Sequence, residues 1–317
     1  MKKTAAALLA LVFIFSMMNT AAAQVKIPAV YIALGDSLAA GQTPASQIDT
    51  GYADLIAQEL GRNQPVAFFS KDLAFPGYTT ADVLERIREE ETKEILASAN
   101  IITLSAGAND LLRLVQANPA DGSLRFERIQ SDFALNKARQ NVSEILQELA
   151  GAAPAADIYV MGYYFAYPHA RDTQKSGVAA QLDMLNAILK NEAEKAGAKF
   201  IAVDEAFGLE SVSKVPNAAD VHPSFEGYQA MANAFLAQYR EGWVIEDWEL
   251  PQPNPISFDE ILRRQETGNE AEGDAGAAAG PESPEQDAET VEDESSASVL
   301  PDLKSGYLAL RTILPII

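Results

Sequence analysis

The chain carries four residue types that acyl transfer by a serine hydroxyl requires, each just beyond an apolar run. Ser37 lies in Gly35-Asp36-Ser37-Leu38, Gly77 in AFPGYTT, Asn109 in GAND and His222 in ADVHPSFEGY. A serine hydroxyl is a weak nucleophile until a base takes its proton, and Gly35 permits the tight turn that lifts such a hydroxyl into a cleft. Taken alone, Gly-Asp-Ser is also ordinary turn composition. The chain holds two histidines as candidate bases. His222 sits ahead of a helix, with Asp220 before it and Pro223 after it, so a carboxylate is at hand to fix the ring tautomer that leaves the other nitrogen free. His169, in YYFAYPHA, is the rival base and lacks a carboxylate immediately before it. An oxyanion formed at Ser37 needs donors aimed at it. The Gly77 N–H, the Asn109 side-chain amide and the Ser37 N–H are the candidates, although Gly77 and Asn109 taken singly also read as turn or cap residues. Asp110 reads as a side chain that steadies the Asn109 loop.

Together the four blocks, in this order, resemble the GDSL, or SGNH, hydrolase family, over about Pro28 to Tyr239. The resemblance implies a serine esterase or lipase, with Ser37 matching the nucleophile, Gly77 and Asn109 the oxyanion donors and His222 the base. It also implies substrates such as short acyl esters, lysophospholipids or acetylated carbohydrates. One position departs from the pattern. In many members the carboxylate precedes the histidine by three residues, a place held here by Ala219, whereas Asp220 stands two before His222. The shift turns the side chain in a different direction, so the expectation is an imperfectly oriented ring, or a dyad with a main-chain carbonyl on the second nitrogen.

The elements that must position these residues are legible as alternating patterns. Near-continuous apolar runs at 29–34, 66–74, 101–105, 158–164 and 200–203 read as strands buried on both faces. Helix-period segments at 52–60, 81–90, 133–149, 178–196 and 225–239 fit between them, with Thr79 or Thr80 as cap of the second. The order predicts an α/β fold, a three-layer α/β/α sandwich on a five-stranded parallel sheet, and the resemblance makes it the SGNH-hydrolase (flavodoxin-like) type. Ligands bind beyond the carboxyl ends of such strands, where Ser37, Gly77 and Asn109 would emerge. Tyr163, Tyr164, Phe165 and Tyr167, after the fourth strand, read either as strand-end packing or as the wall of an acyl or sugar pocket.

The remainder of the chain bounds where such a protein works. Lys2 and Lys3, the apolar stretch from Ala5 to about Met18 and the small residues Ala21 to Ala23 read as a signal peptide over 1–23, cleaved near Ala23, followed by secretion or association with a cell wall. The apolar stretch is shorter than the roughly 20 residues a spanning helix needs, so no stable transmembrane anchor is expected. Residues 24–249 read as the catalytic domain, 250–300 as a Pro-containing, acidic disordered linker, and 301–317 as a short apolar tail. Cysteine is absent, so the fold must hold by packing without disulfides. A net charge of −21 argues against nucleic-acid partners, leaving a small-molecule ester, lipid or acetylated carbohydrate as substrate. With two histidines, no cysteine and no glycine-rich phosphate loop, no cofactor or metal is expected. Asn141-Val142-Ser143 matches a glycosylation acceptor, though inside a predicted helix.

Overall fold

The computed structural model describes residues 27–265. The chain enters at β1 (Ala29–Gly35), makes one helical turn, α1 (Ser37–Ala40), and returns along α2 (Tyr52–Asn63) to β2 (Val66–Ala74). Helices α3 (Thr80–Arg88) and α4 (Glu90–Ala97) lead to β3 (Ile101–Ser105). A short α5 (Ala108–Leu112), a hairpin of β4 (Gln116–Asn118) and β5 (Ser123–Arg125), and the long α6 (Arg128–Ala152) lead to β6 (Asp157–Met161). After α7 (Asp172–Lys195) come β7 (Lys199–Ile201), α8 (Asp204–Phe207) and α9 (Phe225–Tyr239).

The five main strands are parallel, in the order β2-β1-β3-β6-β7. Every residue of β3 is buried, and only Val30 of β1 is partly exposed. Burial on both faces is what a continuous apolar strand needs, and two helix groups provide it: α2 packs with α9, and α3, α4 and α7 pack with α6. The chain leaves β1 for β2 on one side and crosses to β3 on the other, so a crevice opens at the carboxyl ends of these three strands. Their register brings the ends level, with Gly35 opposite Ala74 and Ser105. This close approach needs glycine. Gly35 has φ +130°, and a Cβ there would lie 1.9 Å from the Ser105 carbonyl oxygen.

Several elements differ from their sequence patterns for local reasons. Strand β6 stops at Met161 instead of Tyr164, because the Asn186 side chain takes over the ladder: its Oδ1 accepts from the Tyr163 N–H (2.9 Å) and its Nδ2 donates to the Tyr163 carbonyl (2.8 Å). Strand β7 likewise ends at Ile201, short of Val203. Helices α6 and α7 begin several residues before their apolar stripes, in polar turns that carry no hydrophobic period. Glu89 adopts an extended conformation and divides the expected 81–90 helix from α4, which the charged run hid and which buries Thr92 and Leu96. Thr79, not Thr80, is the cap: Asp82 Oδ2 accepts from the Thr79 N–H (2.8 Å), and Thr79 Oγ1 accepts from the Asp82 N–H (3.4 Å). Asn141 is 2% exposed and donates to Thr80 Oγ1 at 2.9 Å, so the folded chain does not present its sequon.

The expected linker from 250 begins as part of the domain. Ile256 and Ile48 exchange backbone hydrogen bonds of 2.9 and 2.7 Å, the Asn254 N–H donates to Asp49 Oδ2 at 2.9 Å, and the Phe258 ring meets Phe75 edge-on at 6.1 Å. Phe258, Ile261 and Leu262 stand at helical spacing and lie half-buried in a short helical segment over 258–265, a run too brief between polar residues to stand out from the acidic stretch that follows. Among the described residues, no helix is long and apolar enough to cross a membrane. The expected signal peptide, the rest of the acidic segment and the apolar tail lie outside the described residues.

Truncation after Glu249 removes the partly buried Ile256, Phe258 and Ile261, each contributing about 1 kcal/mol by transfer. Urea unfolding of the truncated protein is expected to show a loss of roughly 3 kcal/mol; an unchanged midpoint would show that this strap is ornamental.

Candidate active site

Ser37 is the first residue of α1, and Asp36 caps that turn, its Oδ1 accepting from the Leu38 N–H at 3.0 Å. Gly41 ends the turn in the left-handed conformation at φ +84°. The Ser37 side chain is thus held at the level strand ends, 7% exposed. His222 arrives from the loop before α9, where Ser224 caps the helix by accepting from the Gly227 N–H (3.3 Å).

His222 Nε2 lies 2.8 Å from Ser37 Oγ, and His222 Nδ1 lies 2.7 Å from Asp220 Oδ1. The one-residue displacement of the carboxylate does not separate it from the ring. Asp220 Oδ1 also accepts from the His222 N–H at 2.7 Å, a side-chain turn in which an aspartate bonds its own backbone two residues on. That turn curls the carboxylate back over the ring, and the two-residue spacing is the one it requires. Ala219, in the more usual position, donates its N–H to Asn217 Oδ1 at 3.0 Å in a second such turn. Burial works to raise the Asp220 carboxyl, but the hydrogen bond and charge of His222, with the His222 N–H, outweigh it and hold the group below the ordinary carboxylate value. Asp220 therefore stays ionised as the acceptor that puts the proton on Nδ1 and leaves Nε2 facing the serine.

The loop that carries His222 is tied down from several sides. The Tyr164 hydroxyl donates to the Val221 carbonyl (2.7 Å), and Asn217 Nδ2 donates to the Pro44 carbonyl (2.8 Å). His169 is elsewhere. It pairs with the Val215 carbonyl at 3.0 Å and lines a separate, smaller hollow.

Asn109 lies in α5 and shares the wall of one chamber with Ser37 and His222. Its Nδ2 donates to the Tyr78 carbonyl at 2.8 Å, leaving one amide hydrogen uncommitted to that bond and anchoring the Gly77 turn. Gly77 has φ +83° with open space where a Cβ would sit, so glycine serves the backbone conformation there. The Gly77 carbonyl accepts from Arg113 Nη2 at 2.8 Å. Gly77 is tied to Asn109 through this turn and does not itself line the chamber. Asp110 accepts from the Thr80 N–H (2.9 Å) and the Thr80 hydroxyl (2.7 Å), locking α5 to the start of α3.

Sequence reasoning passed over Asp36. The side chain is 1% exposed and accepts from the Tyr163 hydroxyl (2.6 Å) and Ser105 Oγ (2.9 Å) as well as from the Leu38 N–H. Burial raises this carboxyl above its ordinary value despite these donors, and the charge of His222 acts the other way. Its place inside the Gly-Asp-Ser turn was visible, but two of its partners, Ser105 at the end of β3 and Tyr163 just past β6, lie far along the chain. Tyr163, Tyr164, Phe165 and Tyr167 all line the chamber, and the first three are also buried core residues, so packing and wall are one role.

The profile of the GDSL-like Lipase/Acylhydrolase family matches residues 33–230. An uncharacterized Bacillus subtilis protein, YpmR, is 24% identical over 220 residues, which cover 67% of this chain and 82% of that protein. Among solved structures, the lipase Lip_vut3 from a goat rumen metagenome matches with TM-score 0.54 and 20% identity, over 68% of this chain and 98% of the lipase. An extracellular lipase from Streptomyces rimosus (TM-score 0.50, 21% identity, 66% and 99%) is also similar. So is a catalytic mutant of the acetylxylan esterase Axe2 from Geobacillus stearothermophilus (0.50, 19%, 70% and 100%). At these identities the structural likeness establishes the fold, a five-stranded parallel α/β sheet.

Removal of the Asp110 carboxylate strands two donors of Thr80, which is fully buried. Asp110→Ala is expected to lower unfolding free energy by about 2–4 kcal/mol. A loss below about 0.5 kcal/mol in denaturant titration would contradict a structural role for that pair of bonds.

Proposed function

The chain belongs to the GDSL-like lipase/acylhydrolase family, and from that premise we propose that it is a serine hydrolase of carboxylic esters that works through an acyl-enzyme on Ser37. The observation that carries the reading is the unbroken chain from Asp220 through His222 to Ser37, with contacts of 2.7 and 2.8 Å. With Nδ1–H donating to Asp220, Nε2 accepts the Ser37 proton as Oγ attacks the ester carbonyl carbon. The carbonyl π electrons move to oxygen, where the Ser37 N–H and the Asn109 amide, both on the chamber wall, act as oxyanion donors, and Gly77, which does not line the chamber, would supply its N–H as the third donor only if its turn moves toward the oxyanion. Collapse of the adduct expels the alkoxide, which leaves as the alcohol with the proton from His222. Water then attacks the acyl-enzyme, giving its proton to His222, and the acid departs as Ser37 recovers its hydrogen.

The substrate pool of this reading is esters of short acyl chains, lysophospholipids or acetylated carbohydrates, the last suggested also by the Axe2 likeness. Export belongs to the same reading, supported by the residue pattern at 1–23 and by the extracellular lipase among the similar folds. The net charge of −21 disfavours nucleic acid as a partner. The alternative is a non-catalytic surface binding protein with the same fold, whose motives are the acidic linker, the apolar tail and the displaced Asp220; the 2.7 Å contact of Asp220 with the ring speaks against the last of these.

Ser37→Ala is expected to lower hydrolysis of a chromogenic acetate ester by at least about 10⁴-fold with an unchanged circular dichroism spectrum, and a fluorophosphonate is expected to form a stoichiometric adduct on Ser37. Undiminished turnover in that variant refutes the assignment. Asp220→Asn is expected to reduce kcat by roughly 10²–10⁴-fold, and His222→Ala is expected to inactivate where His169→Ala does not. Inactivation by the His169 change alone would reassign the base.

A further inference from the structure

Helix α7 turns one stripe to the chamber, Val178, Gln181, Leu182 and Leu185, at the spacing of a buried helix face. Three of these are apolar and the fourth is a primary amide. Gln181 Oε1 is shut off from solvent and has no hydrogen-bond partner among the described residues. A buried acceptor left in that state suffers its full desolvation, so an unmet amide on the wall of a cavity asks for an explanation. The other polar side chains on that wall have their roles. Asp36, Tyr163 and Tyr164 are bonded as described above, and the Ser131 hydroxyl donates to the Glu127 carbonyl at 3.3 Å. Ser37, Asn109 and His222 belong to the reaction. Tyr167 is the exception that joins Gln181: burial pushes its hydroxyl up to about 12, and no group among the described residues bonds it.

The two stand at one end of the chamber. Tyr167 and Leu182 pack on a satellite core of Leu124, Phe165 and Val178, and Gln181 shares a face of α7 with Val178 and Leu182. The other end of the stripe adjoins the reacting groups. Gly107, two residues before Asn109, caps α5, and a Cβ there would come within 3.0 Å of Leu185 Cδ1. From Leu185 to Gln181 is one helical turn, about 6 Å along the axis. Apart from His222, no cationic side chain lines the chamber among the described residues, so an anionic group at the Gln181 end would meet no countercharge.

Resting on the serine-hydrolase reading, we infer that Tyr167 and Gln181 form a subsite that hydrogen-bonds a neutral oxygen on the acyl group, so that the preferred substrates are esters of hydroxy- or oxo-acids. The alcohol oxygen must face His222 Nε2 to take its proton. The acyl group runs the other way, past Leu185 to the amide, a few carbon–carbon bonds from the reacting carbonyl. A carbonyl oxygen there accepts from the Tyr167 hydroxyl and Gln181 Nε2, and a hydroxyl also donates to Oε1. The amide turns about its last torsion to offer either end. A plain alkyl chain leaves both groups unmet, which is how a site built for a hydrogen bond discriminates against the analogue that lacks it.

The test is kcat/KM of the full-length protein for matched 4-nitrophenyl esters: 3-hydroxybutanoate against butanoate, 4-oxopentanoate against pentanoate, and 6-oxoheptanoate against heptanoate. Each ratio is divided by the same ratio for alkaline hydrolysis. At least one oxygenated ester is expected to lead its partner by roughly tenfold, the effect of two hydrogen bonds. Tyr167→Phe and Gln181→Leu are each expected to lower that ratio about threefold or more, whereas loss of a packing role would slow both members of a pair alike. Gln181→Leu is also expected to keep or raise the thermal midpoint, because leucine completes the apolar stripe. Should that variant not fold, Tyr167→Phe, which keeps the ring, carries the comparison. Ratios near one for every pair in the wild type, or a ratio untouched by the substitutions, overturn the subsite and, with a fluorophosphonate adduct on Ser37, leave the serine mechanism standing. Absence of turnover on every ester together with no adduct at Ser37 sinks both.

Discussion

A buried carboxylate organises the strand ends on which the whole site rests. Asp36 follows β1, and its side chain is held by the N–H of Leu38, the hydroxyl of Ser105 at the end of β3 and the hydroxyl of Tyr163 just past β6. Its own N–H donates to the Ser105 carbonyl at 2.8 Å. A charge taken wholly out of water costs several kcal/mol unless donors replace the solvent, and three donors from three segments do so here. Loss of any one of those segments would strand the carboxylate, so the carboxylate demands that all three be present and level. The nucleophile turn is therefore positioned by the sheet and not by a loop. Tyr163 can act as a permanent donor in this arrangement because burial, and then the charge of Asp36, pushes its hydroxyl well above the ordinary phenol value.

The base is positioned by a different device, short-range and local. Asn217 and Asp220 each fold a side chain back onto the backbone two residues on, and the resulting double turn presents His222 with its partner already in place. Around this turn, bonds from Tyr164 to the Val221 carbonyl and from Asn217 to the Pro44 carbonyl tie it to elements that also hold Ser37. Tyr228 of α9 adds a third tie, its hydroxyl donating to the Gln42 carbonyl at 2.7 Å. The distance between serine and imidazole is set by packed elements on both sides, which is the form of preorganisation that acyl transfer rewards most.

What could be read from the chain follows from the range over which each signal acts. Strands β1 and β3 were legible because burial on both faces writes a continuous apolar run, whereas the edge strand β2 showed only as the apolar ends of a half-buried stretch, and the α/β alternation made the parallel three-layer sheet the natural architecture. The end of β6 was not legible, since the apolar run continues to Tyr164 while the ladder is replaced by one amide, Asn186, on α7. Helix α4 and the strap from Ile256 were hidden in polar or charged stretches, where one or two turns with a few buried side chains make too short a pattern to stand out. At the site, Ser37, Asn109 and His222 stood out by type and by position after strands. Asp36 did not, because its importance lies in two hydroxyls more than sixty residues away. The displaced Asp220 misled in the opposite direction: strand-like reasoning about direction does not apply to a residue that curls into a side-chain turn.

The aromatic run after β6 shows how one short segment serves both ends of the design. Tyr163 and Tyr164 are buried by packing, yet each sends its hydroxyl to a different half of the site, to the carboxylate under the serine and to the backbone beside the histidine. Once those hydroxyls are committed, only ring faces remain for the cavity, and Phe165 continues the same wall into the satellite core with Leu124 and Val178. The polar work of positioning and the apolar work of lining are thus not independent choices. A residue at 163 able to bond a substrate hydroxyl would have to abandon Asp36, exposing the constraint on which the strand ends depend. The two ring walls that Tyr163 and Tyr164 give the chamber are in this sense a consequence of how the nucleophile and the base are held.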